Sequence, residues 1–427
     1  MATPFREVNA IRRGLRPTQL MCASMRWVIV SSARAVVEFA QRQHPIVWAV
    51  PAVINVAIGV ALLRDSDRWY DFATVMRWSA SWLTADRLWT TTAWFSDYPP
   101  HAIVFLSPLS RLTPLPAVVL WAAINIGLAV VAPTLAARFV NPRARPRQVM
   151  LLTVLFLCWG SARTLMQFTL LTLVCGLASM VLAGKRPMAS GLCLALSVMK
   201  PQVAAPFALW ILMAGHWRVL GTAAAAVAGG WITYAAVARV RLQDVALQYA
   251  TVLRHYYTGA EPMRGVADLR PVILRLVPAH ASDIVSLLVA LALLAFVIAA
   301  TRWALDAAAA HGRDRWSLAF VPALAGAWSL LTFYHLTYGF VLLLPASAVL
   351  LLLDHPRTAG PRQVFFWLLQ AGLIVDLPTV WRRIGHAFPR TLDPVVADID
   401  RVLVLAVFAG LLVLCRLTTT PVRRPRL

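Results

Sequence analysis

The sequence predicts an all-α polytopic membrane protein, and three observations carry that prediction. Of the 427 residues, 60% are hydrophobic and only 14% are charged, with a mean hydropathy of +0.69. Apolar runs recur along the chain, most of them close to the ~20 helical residues that cross a ~30 Å hydrocarbon core. These runs lack the polar alternation of barrel strands, and a backbone in lipid must satisfy its own hydrogen bonds, so helices are the form they take. A single integral-membrane unit over 46–418 follows, flanked by an Arg-rich tail at 1–45 and a basic tail at 419–427.

Taken in order, the apolar segments fall at 46–63, 102–137, 148–161, 164–183, 187–199, 201–215, 217–240, 282–305, 317–333, 336–353, 362–379 and 402–418. They amount to about 12 transmembrane helices if 102–137 crosses once. That segment has 36 residues, about 54 Å of helix, and Pro108, Pro114 and Pro116 interrupt it. A short half-inserted helix followed by one full crossing fits it best. Two crossings would leave Arg138, Arg143, Arg145 and Arg147 outside, against the positive-inside rule.

Charge sets the orientation. Residues 1–45 hold seven arginines, whereas 64–101 hold four arginines against five aspartates. The N-terminus is therefore expected in the cytoplasm and 64–101 outside, with amphipathic sequence in that first external loop. The same scheme sends Lys185-Arg186, Arg218 and the C-terminal Arg423-Arg424-Pro425-Arg426 to the cytoplasm. The expected location is the inner (plasma) membrane, multi-pass, with both termini cytoplasmic.

The net charge of +22 does not imply nucleic acid, because the arginines are dispersed through short loops and tails, and only Lys185 and Lys200 are lysines. Five cysteines sit in or beside apolar runs without paired spacing, so neither a disulfide framework nor a metal cluster follows. Nor is there a Gly-rich nucleotide cradle. The predicted cofactor set is therefore empty, with no metal.

With this topology the polar breaks share the external face: 64–101, Arg163 to Gln167, Lys200-Pro201, the long loop 241–281, Tyr334-His335 and 379–401. A composite extracytoplasmic active site is the reading. Two blocks then carry a family resemblance. The first runs from Tyr70-Asp71-Phe72 to Asp97-Tyr98-Pro99-Pro100 and Leu106-Ser107-Pro108-Leu109. The second runs from Gln167 through Gly184-Lys185-Arg186-Pro187 and Ala189-Ser190-Gly191 to Lys200-Pro201 and Trp217-Arg218. Together with His335 before Leu342-Leu343-Leu344-Pro345, they resemble glycosyltransferase family 87 over roughly 46–353, a family of the C-type superfamily that uses polyprenyl-phosphate sugars.

The resemblance implies a C-type bundle and an inverting hexosyl- or pentosyltransferase. Its partners would be a polyprenyl-phosphate-linked sugar, a glycan or glycolipid acceptor and membrane lipid, without a metal. Departures limit what is carried over. Thr169 stands where the family's Gln-x-Asn places asparagine, Met263-Arg264-Gly265 where many members have Asn-x-Ser, and Phe333-Tyr334-His335 where some have Trp-x-His-His. Mannose and arabinofuranose both remain open as the sugar.

The chemistry requires an acceptor hydroxyl to lose its proton and a phosphate to be stabilised as it leaves. Asp71 is the family-supported general base, against a reading as a solvated loop carboxylate beside Arg68. Asp97 and Tyr98 either meet substrate or help start the next helix. Lys200 interrupts an apolar stretch, where an ammonium needs an anion or water, or snorkels to the interface. Arg163, Arg264 and Arg270 are candidates for the same phosphate, or for lipid headgroups. Gln167 either binds a sugar hydroxyl or fastens two helices, and His335 either orients substrate or packs among tyrosines. Trp69, Trp78, Trp82, Trp89 and Trp94 are concentrated in 64–101, and such tryptophans either belong to the interface belt or stack on sugar.

A transporter or lipid-linked-sugar flippase is the rival from another class, since twelve spans with both ends inside suit one too. Such proteins carry internal repeats and polar groups near the midplane, whereas here no repeat is legible and the polar residues gather at one face. A glycan ligase would need a larger external domain.

Overall fold

The computed structural model describes residues 45–61, 70–83, 98–159, 166–258, 268–311, 314–333, 337–353, 359–375 and 393–419. Among the described residues there are sixteen α-helices and three short 3-10 turns, and no strand. Helix α1 is Ala49–Ala61 and α2 is Tyr70–Leu83. Next come α3 (Pro100–Leu106), α4 (Pro114–Val140), α5 (Pro146–Cys158), α6 (Thr169–Leu182), α7 (Pro187–Ser197), α8 (Pro201–Met213) and α9 (Trp217–Ala238). Then follow α10 (Leu242–Thr258), α11 (Arg270–Leu276), α12 (Ala279–His311) and α13 (Asp314–Thr332). The last are α14 (Leu344–Leu352), α15 (Ala359–Val375) and α16 (Asp393–Thr419).

Proline sets many of these boundaries. Helices α3, α4, α5, α7 and α8 each open on one, where the missing N–H is no loss and the fixed φ suits a first turn. Glycine closes α8: Gly215 has φ +72°, its N–H bonds Leu212 O, and the N–H of His216 bonds Ile211 O at 3.1 Å. This is the six-to-one and five-to-two pattern of a helix that ends in a left-handed residue.

Among the described residues, four helices are long and apolar enough to cross a membrane: α4, α9, and the stretches Ala281–Trp303 of α12 and Asp398–Thr418 of α16. Only 11% of the α12 stretch is buried, and Ile284, Leu287, Leu288 and Leu291 point outward from it. A face of that size without cover in water would be unfavourable, and lipid is the medium that suits it. Other expected spans are shorter as helices. Helices α7 and α8 have 11 and 13 residues, about 17–20 Å of rise, less than the ~30 Å core.

One expectation is corrected. Residues 241–281, read as a long loop, contain α10 and α11. Val245, Tyr249 and Val252 of α10 are buried at helical spacing, an amphipathic stripe that a search for continuous apolar runs passes over.

Hydrogen bonds fix how the central helices run. Ser197 Oγ donates to Thr172 O at 2.8 Å and Ser190 Oγ to Ser179 O at 2.7 Å. As one number rises the other falls by the same amount, so α6 and α7 are antiparallel. Helix α8 instead runs beside α6 in the same direction. Lys200 meets Thr169 at one level, and a Cβ on Gly176 would overlap the Phe207 ring seven residues further along both chains. The α7–α8 connection is therefore a hairpin with Lys200 at its apex.

This arrangement gives the bundle two unlike ends. At one, Phe139 of α4 packs on Trp210 of α8, which packs on His216, and the turns with Arg143, Arg145, Lys185, Arg186 and Arg218 gather there. Lys200, Gln167 and Trp121 mark the other end. Helix α4 runs from Trp121 beside Phe168 to Phe139 beside Trp210, so the stretch containing Pro108, Pro114 and Pro116 yields the short α3 and one traverse of the bundle.

Candidate active site

The site is built around Lys200, which caps α8 in extended backbone geometry (φ −121°, ψ 91°). The residue is 6% exposed. Its ammonium donates to Gln167 Oε1 at 3.1 Å and to Thr169 Oγ1 at 3.0 Å, and lies 5.5 Å from the centre of the Tyr98 ring, within cation–π range. Tyr98, Gln167 and Lys200, three residues singled out by sequence, thus share one place although they come from three separated segments.

Local geometry explains why they meet. The chain enters α6 through Gln167 and Phe168 and leaves α7 before Pro201, so two helix starts face the same point. Neither α6 nor α8 has a side-chain cap on its first turn, and the positive ends of both helix dipoles therefore add to the lysine charge. The main chain around Lys200 is fastened on both sides, by Ser197 to Thr172 O and by Ser329 Oγ to Gln202 O at 2.5 Å. A buried ammonium at two uncapped helix N-termini is an anion-favouring arrangement.

Beneath it lies an aromatic floor. The Phe168 ring meets Tyr98 edge-on at 5.5 Å, Trp121 at 4.5 Å and Phe72 at 6.1 Å, and Phe72 stacks on Trp121 at 5.8 Å. Phe72 directly follows Asp71, so the floor brings the first turn of α2 up to the lysine site. The Asp71 side chain lies outside the described residues, as do Asp97, Arg163, Arg264 and His335. Helix α3 has Pro99 at its N-cap and no side-chain cap bond.

Helix α2 is held along its length. Ser79 Oγ donates to Ile103 O at 3.3 Å and Trp82 Nε1 to Tyr234 O at 3.1 Å, with the Trp82 ring stacked on Tyr234. Trp78 and Trp82 are buried and fasten α2 to the bundle.

Arg270 opens α11 on the same end of the bundle. Its Nη2 pairs with Asp283 at 3.1 Å and its backbone N–H donates to Asp268 Oδ1 at 3.1 Å. The Leu269 N–H bonds Leu331 O at 2.9 Å, two residues past the serine that holds Gln202. Arg401 Nε donates to Asp268 O at 2.8 Å, and Arg401 also pairs with Asp398, which accepts from Arg275 at 2.9 Å. The Arg270–Asp283 pair is exposed on the aspartate side, and such pairs hold weakly.

Two groups here escape sequence reasoning. Thr169 stands out only as a departure from Gln-x-Asn, yet its hydroxyl is a direct partner of Lys200. Asp268 and Arg401 lie 133 residues apart, and no local pattern joins them.

Asp268 also makes a pH prediction. Burial pushes its carboxyl from 3.8 up to about 6, against the opposing pull of Arg401 and of the Arg270 N–H. The folded protein thus keeps this proton at a pH where an unfolded aspartate has lost it. The resulting stability is complete below about pH 3.8 and is lost as pH rises through about 6. Melting curves from pH 5 to 7.5 should show the wild type losing a few degrees relative to Asp268→Asn. A wild type that gains on the variant over this interval would mean that Arg401 outweighs burial.

A model of glycosyltransferase family 87 matches residues 94–261, a stretch that holds Tyr98, Gln167, Thr169 and Lys200. No curated protein and no solved structure matches the chain. The match covers α3 to α10 and the lysine site at their shared end, and the helices around it carry the outward apolar faces of a membrane protein. Over that stretch the chain is similar to glycosyltransferase family 87, and its long apolar helices are those of a membrane protein.

Proposed function

We propose that the protein moves a sugar from a polyprenyl-phosphate donor to a glycan or glycolipid acceptor, with inversion, on the extracytoplasmic face of the inner membrane. Asp71 is the general base that takes the acceptor proton. Lys200 and the two helix starts around it receive the donor phosphate and stabilise it as the glycosidic bond breaks. Asp97, Arg163, Arg264, Arg270 and His335 are the further substrate contacts of this reading. In this reading both termini are cytoplasmic and the bundle makes about twelve crossings.

The observation that carries the reading is the buried Lys200 ammonium at the starts of α6 and α8, one aromatic layer from the turn that bears Asp71. A lipid-linked donor can bring its phosphate to that depth while its tail stays in the membrane. The basic turns at the opposite end of the bundle support an external site by the positive-inside rule.

The test is to supply purified protein in liposomes with a panel of radiolabelled polyprenyl-phosphate sugars. Release of polyprenyl phosphate with label passing to an acceptor is the expected result. Movement of intact donor between leaflets without release would favour the flippase reading instead.

A further inference from the structure

We propose that Thr169 is a positioning residue that acts through Lys200, setting where the ammonium stands for the donor phosphate. The inference rests on the phosphate reading of Lys200 given above. Thr169 is 1% exposed, so its hydroxyl is not offered to substrate directly. Its Oγ1 accepts from the Lys200 ammonium at 3.0 Å.

The same turn also fixes the backbone that delivers the lysine. Thr169 O accepts from Thr172 Oγ1 at 2.9 Å, and Thr172 O accepts from Ser197 Oγ at 2.8 Å, three residues before Lys200. The first turn of α6 therefore holds both the root and the tip of a side chain with four rotatable bonds. The oxygens of Thr169 and Gln167 are neutral, so they direct the positive charge without cancelling it.

Purified full-length protein decides the matter through steady-state kinetics with a donor that supports turnover. Thr169→Val keeps the shape and removes the acceptor. It should raise the donor KM about tenfold, the scale of one hydrogen bond to a charged group, with kcat nearly unchanged. Thr169→Ser, which keeps the hydroxyl, should stay close to wild type and serves as the folding control. In a Lys200→Met background, Thr169→Val should add nothing, because its effect runs through the lysine.

Three results would overturn the proposal: an unchanged donor KM in Thr169→Val, a Thr169→Ser variant as impaired as Val, or a Val effect that adds in full to Lys200→Met. If Lys200→Met raises the donor KM while Thr169→Val does not, only the Thr169 proposal falls. An unchanged donor KM in Lys200→Met removes the phosphate reading, and this inference with it.

Discussion

Replacing Asp71 with asparagine is expected to lower sugar transfer by about 100- to 10,000-fold, the usual cost of removing a general base, while folding and donor binding survive. The acceptor hydroxyl is a poor nucleophile until its proton is taken, and asparagine fills the same space without accepting that proton. Geometry supports the survival of the fold. Helix α2 is fixed by Phe72 in the aromatic floor, by Ser79 to Ile103 O and by Trp82 to Tyr234 O, none of which needs the carboxylate. Single-turnover transfer of labelled sugar is the measurement, and wild-type rates in the variant would remove Asp71 from the mechanism.

Lys200→Met should have the second largest effect, on binding instead of chemistry. Methionine keeps an unbranched apolar stem and deletes the charge. Loss of a hydrogen bond to a charged group is worth about 1.5 to 3 kcal/mol, or about 10- to 150-fold in the donor KM. The acceptor KM should barely move. Because Gln167 and Thr169 lose a shared donor, the variant's melting temperature must be measured beside its kinetics. A well-folded variant with an unchanged donor KM would reduce Lys200 to a helix fastener.

The parts of this architecture legible in the sequence are those written in local chemistry. Proline marks the starts of α3, α4, α5, α7 and α8. The Lys200-Pro201 break appears in the structure as the apex of the α7–α8 hairpin, and Gln167 and Tyr98 arrive beside it. What escaped is written in long-range packing or in weak periodicity. Helix α10 buries a three-residue stripe without a continuous apolar run, and so resembles loop. Hydropathy likewise finds the apolar character of 187–199 and 201–215 but not that each helix is too short to cross alone. Phe168 reads as one more apolar residue until its ring is seen to join Tyr98, Trp121 and Phe72. Asp268 and Arg401 become partners only because α11 docks where α13 ends and α16 begins.

The proposed mechanism divides the labour, with Lys200 to hold the donor phosphate and Asp71 to carry out the proton transfer. Equilibrium binding of one labelled polyprenyl-phosphate sugar to the wild type, to Asp71→Asn and to Lys200→Met tests that division most directly. Wild-type affinity is expected in Asp71→Asn, and affinity weakened by about tenfold or more in Lys200→Met. Donor binding lost with Asp71 and retained without Lys200 would contradict it.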